Sequence, residues 1–469
     1  MDEFVGKPKH VVVLMFENRS FDHIFGAFPG VNGLFSPDGS FKPEIYNQAD
    51  PTQAPGVEPN LVVFSSAITP NTPLKHDFDH NFGNGMMQEL FGPGTTGVQA
   101  GQPINAPAQT YPAINSGFYS TVAYNVSPPV INGEQVMSYY EYGSLQVLHG
   151  IAADFVLCDN WFCDMPADTL LNRYFMHAAQ TNGDISDSQS GDITLPSPTI
   201  FDQLDAQNLS WKMYAPQAEQ NGKIIPNPQV DSRFLGTIQT SPNGNVPVQD
   251  FASDAAAGTL PFYSFLMCWL PLKISNSGND TSMHPNSDIR PGENYLAAVY
   301  AALRGGPAWN DTLLIVTFDE NGGVYDHVAP PVTVAPYDGT STDYDTYLKT
   351  DVSFDFTLLG PRIPALLISP WLRAGVATGQ YQNTSILRFL EDLAGSPYLT
   401  QRDTLAPKLD DIFSQFGLPR PRTDCPAGYV AYPNLPYSNG DLSQVYVAPP
   451  GETTPPAYMA KLAKAYGIS

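Results

Sequence analysis

The sequence predicts an α/β protein, a three-layer sandwich with a mostly parallel central sheet. Three unbroken apolar runs, at residues 9–16, 312–318 and 363–369, predict strands. A run without polar alternation is typical of a parallel, central strand that is covered on both faces. Helical patterns lie at residues 294–304, which end at two glycines, and at residues 384–393, which begin with Thr-Ser. Strands that alternate with helices indicate this architecture.

The composition favours a globular body with many turns. The chain has 469 residues, of which only 14% are charged, and it contains 45 prolines and 38 glycines. These values exclude coiled coils and helical bundles. We expect one main domain over residues 1–405, with irregular lid-like insertions at about 30–135 and 180–280. A proline-rich, irregular extension over 406–469 is expected to pack on that domain.

The net charge limits the kinds of partner that the protein can bind. Lys and Arg total 22 and Asp and Glu total 46, which gives a formal charge of −24. Such a surface repels nucleic acid and allows at most transient membrane contact. The first residues have no basic start and no apolar run, which argues against a signal peptide. We expect a soluble chain that is cytoplasmic, exported by a signal-less route, or the mature form of a secreted protein. The oligomeric state stays open.

The four cysteines form no metal-binding pattern. Cys158 and Cys163 are close enough in sequence to pair, whereas Cys268 and Cys425 are distant. Free, buried thiols are the favoured interpretation.

Acidic residues follow two of the three predicted strands. Glu17 and Asn18 come after the first strand, and Asp319 and Glu320 come after the second. The carboxyl edge of an open α/β sheet is where ligands bind. Carboxylate and amide oxygens there could hold a hard metal ion, since adjacent carboxylates repel one another unless a cation or a proton lies between them. The glycine pair at 322–323 permits close backbone approach. Solvated loop acids are the alternative.

The eight histidines divide into two groups by context. Three are expected to be structural, since they lie in strand or helix patterns: His10, His149 and His177. His23 is left undecided. Four occupy polar, motif-like segments and are candidates for chemistry: His76, His80, His284 and His327.

A helical pattern begins near Thr169. The local pattern favours Asp168 or Thr169 as a simple helix cap. A hydroxyl at a helix N-terminus also lies where an anionic phosphate binds well. A metal ion beside it would make that hydroxyl a nucleophile.

Together, these segments resemble a known family. The run VVVLMFENRSFDH at residues 11–23 resembles the opening motif of the bacterial phosphoesterase family of phospholipases C and acid phosphatases, which belongs to the alkaline-phosphatase-like superfamily. The likeness continues, in the family's order, through MSYY at 137–140, CDNWF at 158–162, TLLNR at 169–173, HP at 284–285, TFDENGGVYDHV at 317–328, LGPRIPA at 359–365 and TSILRF at 384–389. It spans most of residues 9–395 and leaves out the insertions and the tail.

The resemblance implies an alkaline-phosphatase-like fold and a site with assigned roles. A divalent metal ion would be held by Glu17, Asn18, Asp319, Glu320 and the oxygen of Thr169. Thr169 would also be the nucleophile, and Asn172 would contact the phosphoryl oxygens. Donors or leaving-group acids would be His76, His284 and His327, with His80 as a rival to His76. The superfamily favours Zn²⁺, whereas an all-oxygen ligand set favours Ca²⁺, Mg²⁺ or Mn²⁺.

The expected function is metal-assisted hydrolysis of a phosphoester through a phospho-threonine intermediate. A phospholipid head group, and hence phospholipase C activity, is the first choice of substrate, and acid phosphatase activity on small monoesters is the second. Sulfatase or phosphodiesterase activity is a further alternative, as is an inactive phosphate- or lipid-binding protein. The chain departs from the family at Asp168 and Leu171, near which proline is usual. Asn321 and Asn383 stand where many members have histidine.

Overall fold

The structure is a computed structural model of the whole chain. It describes residues 7–43, 45, 47–48, 61–62, 67–74, 78–91, 117–119, 133–185, 198–215, 217–220, 223–226, 244–269, 280–337, 354–442 and 446–447. Of the candidate site residues, His76 lies outside the described residues.

A large sheet forms the centre of the molecule. Its eight strands, in chain order, are β1 (His10–Phe16), β2 (Val156–Cys158), β3 (Trp211–Ala215), β4 (Gly244–Pro247), β5 (Tyr263–Met267), β6 (Thr312–Phe318), β7 (Ala365–Ile368) and β8 (Gly375–Ala377). Across the sheet the order is β4-β3-β5-β1-β6-β7-β2-β8. Five neighbouring pairs are parallel and two are antiparallel. The predicted mostly parallel α/β sheet is confirmed.

Strand β1 is central because its side chains are apolar on both faces. All its residues after His10 are buried, and it pairs in parallel with β5 and β6. In this register Phe16 lies opposite Phe318. The two chain segments that follow β1 and β6 therefore leave the sheet side by side.

Strand β7 corrects one prediction. The run at 363–369 was expected to be parallel, but β7 is antiparallel to both β6 and β2. A continuous apolar run indicates that both faces of a strand are buried, as those of β7 are. It carries no information about the direction of the strand. Its carboxyl end consequently lies at the opposite edge from those of β1 and β6.

The expected insertion at 180–280 is also corrected. Strands β3, β4 and β5 all lie within that range and complete one half of the sheet. Their sequences, WKMYA, GNVP and YSFLM, are short and contain few β-branched residues. Local pattern therefore gave little strand signal, and their pairing depends on neighbours far away in sequence.

The helices that flank the sheet are α1 (Phe21–Phe25), α2 (Met87–Phe91), α3 (Leu148–Asp154), α4 (Thr169–Ala178), α5 (Ile200–Ala206), α6 (Val248–Ala257), α7 (Arg290–Gly305), α8 (Asn383–Ala394), α9 (Gln401–Leu405) and α10 (Asp410–Phe416). Helix α6 contacts α7 and β3, while α8 contacts α4, α5 and α9. Two such groups of helices are what the outer layers of a sandwich require.

Short elements complete the described structure. A π-helix spans Phe82–Met86, and 3-10 turns span Gly133–Met137 and Trp309–Asp311. Short strands form small separate sheets at Asn47–Gln48, Leu61–Val62, Ala67–Ile68, Tyr139–Tyr140, Trp161–Phe162, Gln217–Gln220, Lys223–Pro226, Tyr381–Gln382 and Tyr446–Val447.

The C-terminal segment is more regular than expected, because α10 lies inside it. Its described part is held to the body by specific bonds. Arg422 donates to the backbone oxygen of Asp154 at 2.6 Å, and the Tyr432 hydroxyl donates to Glu293 at 2.7 Å. These contacts fit the expected packing of the tail against the main domain.

Two further observations concern the cysteines and the lengths of the helices. All four cysteines are free and buried, as the favoured interpretation had it. Within the described part of the chain, every helix is too short or too polar to cross a membrane.

Candidate active site

The two acidic strand ends meet at the carboxyl edge of the sheet. The backbone N–H of Asn18 donates to Asp319 Oδ1 at 3.0 Å, and the N–H of Asp319 donates to the Phe16 oxygen at 3.1 Å. Glu17, Asn18, Asp319 and Glu320 are all buried. The parallel pairing of β1 with β6 therefore gathers the predicted oxygen ligands.

Glycine is required where the second strand end turns back toward the first. Gly322 and Gly323 have φ values of 64° and 63°. A Cβ on Gly322 would lie 2.5 Å from the backbone oxygen of Asn18, which is closer than atoms can approach. Asn18 itself adopts a left-handed φ of 60°, a conformation that asparagine tolerates better than most residues. The predicted close backbone approach is present.

Thr169 faces the two strand ends. It is the first residue of α4, after the N-cap residue Asp168, whose side chain makes no capping hydrogen bond. Its Oγ1 lies 3.4 Å from both Glu17 Oε2 and Asn18 Oδ1. The favoured helix-cap interpretation of Thr169 is therefore wrong, since the hydroxyl is directed at side chains some 150 positions away in sequence.

The start of α4 is a suitable environment for a phosphate. Its first turn carries no acidic residue, so the macrodipole and the backbone N–H groups of that turn favour an anion beside Thr169. The oxygens of Glu17 and Asn18 approach the same hydroxyl from the sheet.

Arg173 is a site residue that sequence analysis missed. It lies one helical turn beyond Thr169, and its guanidinium contacts Glu17 Oε1. It also donates to Asp319 Oδ2 from Nη2 at 3.1 Å and from Nε at 3.2 Å. The positive charge expected between the carboxylates is thus supplied in part by the buried Arg173 side chain. The i, i+4 spacing from Thr169 was the available signal, because it places both residues on one helix face.

The negative charges of these acids nevertheless outnumber the single positive charge of the Arg173 guanidinium. The net charge of this group is −2 when Glu17, Asp319, Glu320 and Arg173 are all ionised. Burial raises the pKa of Glu17 well above its usual range, although Arg173 opposes the shift. Burial also raises the pKa of Glu320 to about 8. Without a further cation, Glu17 and Glu320 therefore tend to retain protons.

The donor atoms fit a divalent ion. Glu320 Oε1 is buried and has no hydrogen-bond partner within the described structure. Glu17 Oε2, Asn18 Oδ1 and Thr169 Oγ1 converge at distances near the ~3 Å that separates neighbouring oxygens around one such ion. Asp319 differs, because Oδ1 accepts two backbone N–H groups and Oδ2 accepts Arg173. It holds the other side chains in place.

Two candidate histidines border this group. Nε2 of His80 and Nε2 of His284 both lie 3.3 Å from Asn18 Nδ2. His80 Nε2 also lies 3.6 Å from Glu320 Oε1. The structure thus places His80, the rival to His76, and His284 beside the predicted metal ligands.

His327 belongs to a neighbouring cluster. Its Nδ1 lies 2.7 Å from Asp22 Oδ2, and Arg362 bonds to both Asp22, at 3.0 Å, and Asp326, at 2.8 Å. Potential ligand atoms of Asp22, Asp326 and His327 lie within 4.8 Å of one another. Arg362 offsets one of the two carboxylate charges, so this cluster is a second place in the described structure where a metal ion could bind.

Asn172 has different partners from those expected. Its Oδ1 accepts the N–H of Met165 at 3.0 Å, and its Nδ2 donates to the oxygens of Ala167 and Asp168 at 2.8 and 3.3 Å. These bonds hold the turn that delivers Thr169. Positioning of that turn fits them better than direct contact with phosphoryl oxygens.

The histidines expected to be structural have structural contacts. His149 bonds to the Ile24 oxygen at 2.8 Å and accepts the Gly143 N–H at 2.9 Å. Burial lowers its pKa to about 4, and that of His177 to about 3. His10 contacts the Pro261 oxygen. His23, left undecided, is buried against Arg19 at 2.7 Å, and burial lowers its pKa well below the usual value.

The two asparagines at family histidine positions support the backbone. Asn383 accepts from Trp161 at 2.9 Å and from Thr317 at 3.1 Å, and it donates to the Phe318 oxygen at 2.9 Å. Asn321 donates to the Val324 oxygen at 3.0 Å. Both are buried and stabilise the end of β6 and the turn after it.

Several known proteins are similar to this chain. The chain is 30% identical over 445 residues to "Non-specific phospholipase C3" of Arabidopsis thaliana, covering 91% of this chain and 76% of that protein. It is 26% identical to "Non-hemolytic phospholipase C" of Burkholderia pseudomallei, covering 96% of this chain and 63% of that protein. A solved protein of the alkaline phosphatase superfamily from Vibrio parahaemolyticus matches at 15% identity and a TM-score of 0.33, covering 56% of this chain and 66% of that one. The sequence model of the Phosphoesterase family matches residues 8–396, and the chain therefore belongs to this family of phosphoric ester hydrolases.

Proposed function

We propose that this protein is a metal-dependent phospholipase C that cleaves phospholipid head groups through a phospho-threonine intermediate. The observation that carries the proposal is the position of Thr169 Oγ1, 3.4 Å from both Glu17 Oε2 and Asn18 Oδ1 at the N-terminus of α4. A hydroxyl used only to cap a helix has no reason to face a carboxylate and an amide oxygen on another element.

The metal ion would be held by Glu17, Asn18, Glu320 and Thr169. The oxygens of Glu17, Asn18 and Thr169 lie close together, and Glu320 Oε1 is buried without a hydrogen-bond partner in the described structure. Coordination by Asp319, as the family resemblance implies, remains part of the proposal, although its oxygens are engaged in this structure. When bound, the ion would neutralise the excess negative charge and favour the ionised hydroxyl. The oxygen-rich set suits Ca²⁺, Mg²⁺ or Mn²⁺ and the superfamily favours Zn²⁺.

The chain's own residues define the two chemical steps. Thr169 Oγ1 attacks phosphorus, and its proton has Glu17 Oε2 as the nearby acceptor. The bond from phosphorus to the alcohol breaks, and the alcohol oxygen takes a proton from a histidine. Water then attacks the phospho-threonine and gives a proton back to that histidine, while the bond from phosphorus to Thr169 breaks and Thr169 Oγ1 recovers its proton from Glu17. The N–H groups at the start of α4 bind the phosphoryl oxygens, while Asn172 and Arg173 hold the nucleophile's helix against the strand ends.

We propose a phospholipid rather than a small phosphomonoester as the substrate because of the names of the relatives. Several relatives, from a plant and from bacteria, are named phospholipases C. The second candidate, acid phosphatase activity, uses the same Thr169 chemistry and differs only in the leaving group.

The test is product analysis with the full-length protein. Mixed micelles of phosphatidylcholine should yield diacylglycerol and phosphocholine, in a reaction that a chelator stops and added divalent metal restores. His149→Ala is the control for a histidine with structural contacts only, and it should affect stability alone. Release of phosphate from 4-nitrophenyl phosphate, with no phosphocholine from lipid, would instead identify an acid phosphatase. Lipid binding without any product would indicate an inactive binding protein.

Removal of metal should also change stability in a pH-dependent way. Glu320 has a folded pKa of about 8 against an ordinary 4.5, because it is buried. Between those values the folded metal-free protein holds a proton that the unfolded chain has released, so its free energy of unfolding falls as pH rises. A bound cation replaces that proton. The chelated protein should therefore lose more thermal stability relative to the metal-loaded protein at about pH 8 than at about pH 5.

Glu320→Gln is the matched variant for this measurement. Without the ionisable group, much of the pH dependence of the chelator effect should disappear. Equal midpoints with and without chelator at both pH values would argue against a metal ion at Glu320.

A further inference from the structure

Arg19 is a buried, charged residue that has no part in the proposed chemical steps. It comes directly after Asn18, and its side chain is fully buried. Its guanidinium donates from Nε to the Met283 backbone oxygen at 2.6 Å and from Nη2 to the His284 backbone oxygen at 3.0 Å. Its Nη1 lies 2.7 Å from His23 Nε2, which must accept, because arginine can only donate. The fork of the guanidinium therefore spans two consecutive carbonyl groups.

The backbone that Arg19 holds is strained. Met283 has a φ of 67°, which lies in the left-handed region that residues other than glycine rarely adopt. Such a conformation persists only where the surrounding contacts fix it. Gly292 provides the space for the side chain, since a Cβ at that position would overlap Met283 Cγ. Arg19 in turn fixes the carbonyl oxygens of the strained residue and of the residue after it.

Other hydrogen bonds hold the N–H groups of the same turn. The Ser282 N–H donates to Asp280 Oδ1 at 2.7 Å, and the His284 N–H donates to Ser282 Oγ at 3.1 Å. The carbonyl groups of the turn are bonded by the arginine and its N–H groups by these oxygens. Because all these bonds go to backbone atoms, they hold the turn whatever the protonation state of the His284 ring.

This turn is joined directly to the proposed active site. The Glu17 N–H donates to the Ser282 oxygen at 2.9 Å, and His284 Nε2 lies 3.3 Å from Asn18 Nδ2. The other atom of that amide, Asn18 Oδ1, lies 3.4 Å from Thr169 Oγ1. Contacts thus lead from the guanidinium, through the backbone and the ring of His284, to the proposed nucleophile.

We propose that Arg19 is a positioning residue, which clamps the strained turn so that the His284 ring stays against the Asn18 amide. The inference rests on the proposed phosphoester hydrolysis, because the effect on rate is exerted through Asn18 and Thr169. When the clamp is loosened, Met283 can relax to an ordinary negative φ, and the ring moves away from the amide. The oxygen of Asn18 then loses its fixed position beside Thr169 Oγ1.

The test uses Arg19→Lys, which keeps the charge but loses the planar fork. With the full-length protein and phosphatidylcholine micelles, kcat should fall by ~10–100-fold, the range for residues that orient the ligands of a site. KM should change by less than about threefold, since Arg19 is fully buried and its loss acts on the reacting groups. In the His284→Ala background, Arg19→Lys should lower kcat no further, because the ring that it positions is gone.

Arg422→Lys is the matched control for the loss of a guanidinium fork. Arg422 also donates to two backbone oxygens, those of Asp154 at 2.6 Å and Leu372 at 3.4 Å, and these contacts attach the tail to the body. This variant should lower the free energy of unfolding and leave kcat unchanged. The comparison separates the effect of Arg19 on the site from a general loss of stability.

Gly292→Ala reaches the same turn while Arg19 stays intact. The added methyl group displaces the Met283 side chain, so kcat should fall in the wild-type background and stay unchanged in the His284→Ala background. This variant tests the turn even if Arg19→Lys does not fold. Equal losses of kcat in the two backgrounds would show that the turn does not act through the His284 ring.

The His284 ring itself gives a readout that needs no turnover. In protein with ¹³C-labelled histidine, the NMR signal of this ring is assigned by its loss in His284→Ala. We expect the signal to shift or broaden in Arg19→Lys and to stay unchanged in Arg422→Lys, because only the first change frees the turn.

The outcomes distinguish this inference from the proposed function. Absence of turnover by the wild-type protein would refute the proposed function, while the NMR signal would still test the clamp. If the wild type is active, three results would each overturn the positioning role. These are an equal loss of kcat by Arg19→Lys in both backgrounds, a loss of stability with unchanged kcat, and an unchanged His284 ring signal.

Discussion

Replacement of Thr169 by alanine should reduce phosphoester hydrolysis by on the order of 10³–10⁶-fold, as for the loss of a covalent nucleophile. The fold should survive, because within the described structure the hydroxyl makes two long contacts, at 3.4 Å, and the backbone of α4 is unchanged. Thr169→Ser keeps the attacking oxygen and loses one methyl group, so it should retain substantial activity. Steady-state rates and acid-quenched trapping of phosphate on the Thr169 peptide measure both effects.

Thr199 is the matched control for this substitution. It is the N-cap of α5, where it accepts the N–H of Asp202 within a capping box. Thr199→Ala should therefore lower the free energy of unfolding by ~0.5–2 kcal/mol and leave the rate unchanged. A Thr169→Ala variant that turned over like wild type would refute the mechanism. Loss of stability without loss of rate would mean that Thr169 has a structural role only.

Arg173→Ala should be among the most destabilising single changes in the protein. Removal of the guanidinium leaves Glu17 and Asp319 buried without their cation. Breaking a buried ion pair in this way costs ~3–5 kcal/mol of unfolding free energy. Activity should fall as well, because Arg173 ties the nucleophile's helix to both strand ends. Denaturant unfolding measures the first effect and substrate turnover the second.

Two companion variants sharpen the result. Arg290→Ala removes a partly exposed ion pair with Asp288, which should cost at most ~1 kcal/mol. Arg173→Lys keeps the positive charge but loses the fork that reaches both acids, so it should fall between alanine and wild type. If Arg173→Ala were no more destabilising than Arg290→Ala, the guanidinium would not be what neutralises the strand-end acids.

The part of the site that could be predicted is the part carried by contiguous residues. Burial of β1 and β6 follows from their own side chains, and Glu17, Asn18, Asp319 and Glu320 lie at the strand ends by position alone. The parallel pairing of β1 with β6, which the structure shows, then brings them together. The glycine pair at 322–323 was likewise evident, since only glycine fits that approach.

Thr169 and Arg173 show why the rest could not be predicted locally. A threonine at a helix start looks the same whether it caps the helix or faces a sheet edge. The choice depends on where α4 packs, which is decided by contacts some 150 residues apart. His327 is similar, since its sequence neighbours do not reveal that Asp22, more than 300 residues away, holds its ring.

By itself the sequence determined which segments are buried, which acids stand at the strand ends, and which family the motifs resemble, because these properties depend on residue type and short spacing. Only the tertiary structure decided the direction of β7, the membership of β3, β4 and β5 in the central sheet, and the partners of Thr169, Arg173 and His327. The physical reason is that an apolar run has the same transfer free energy in either strand direction. A buried charge, in turn, is stabilised by whichever opposite charge the packing brings near.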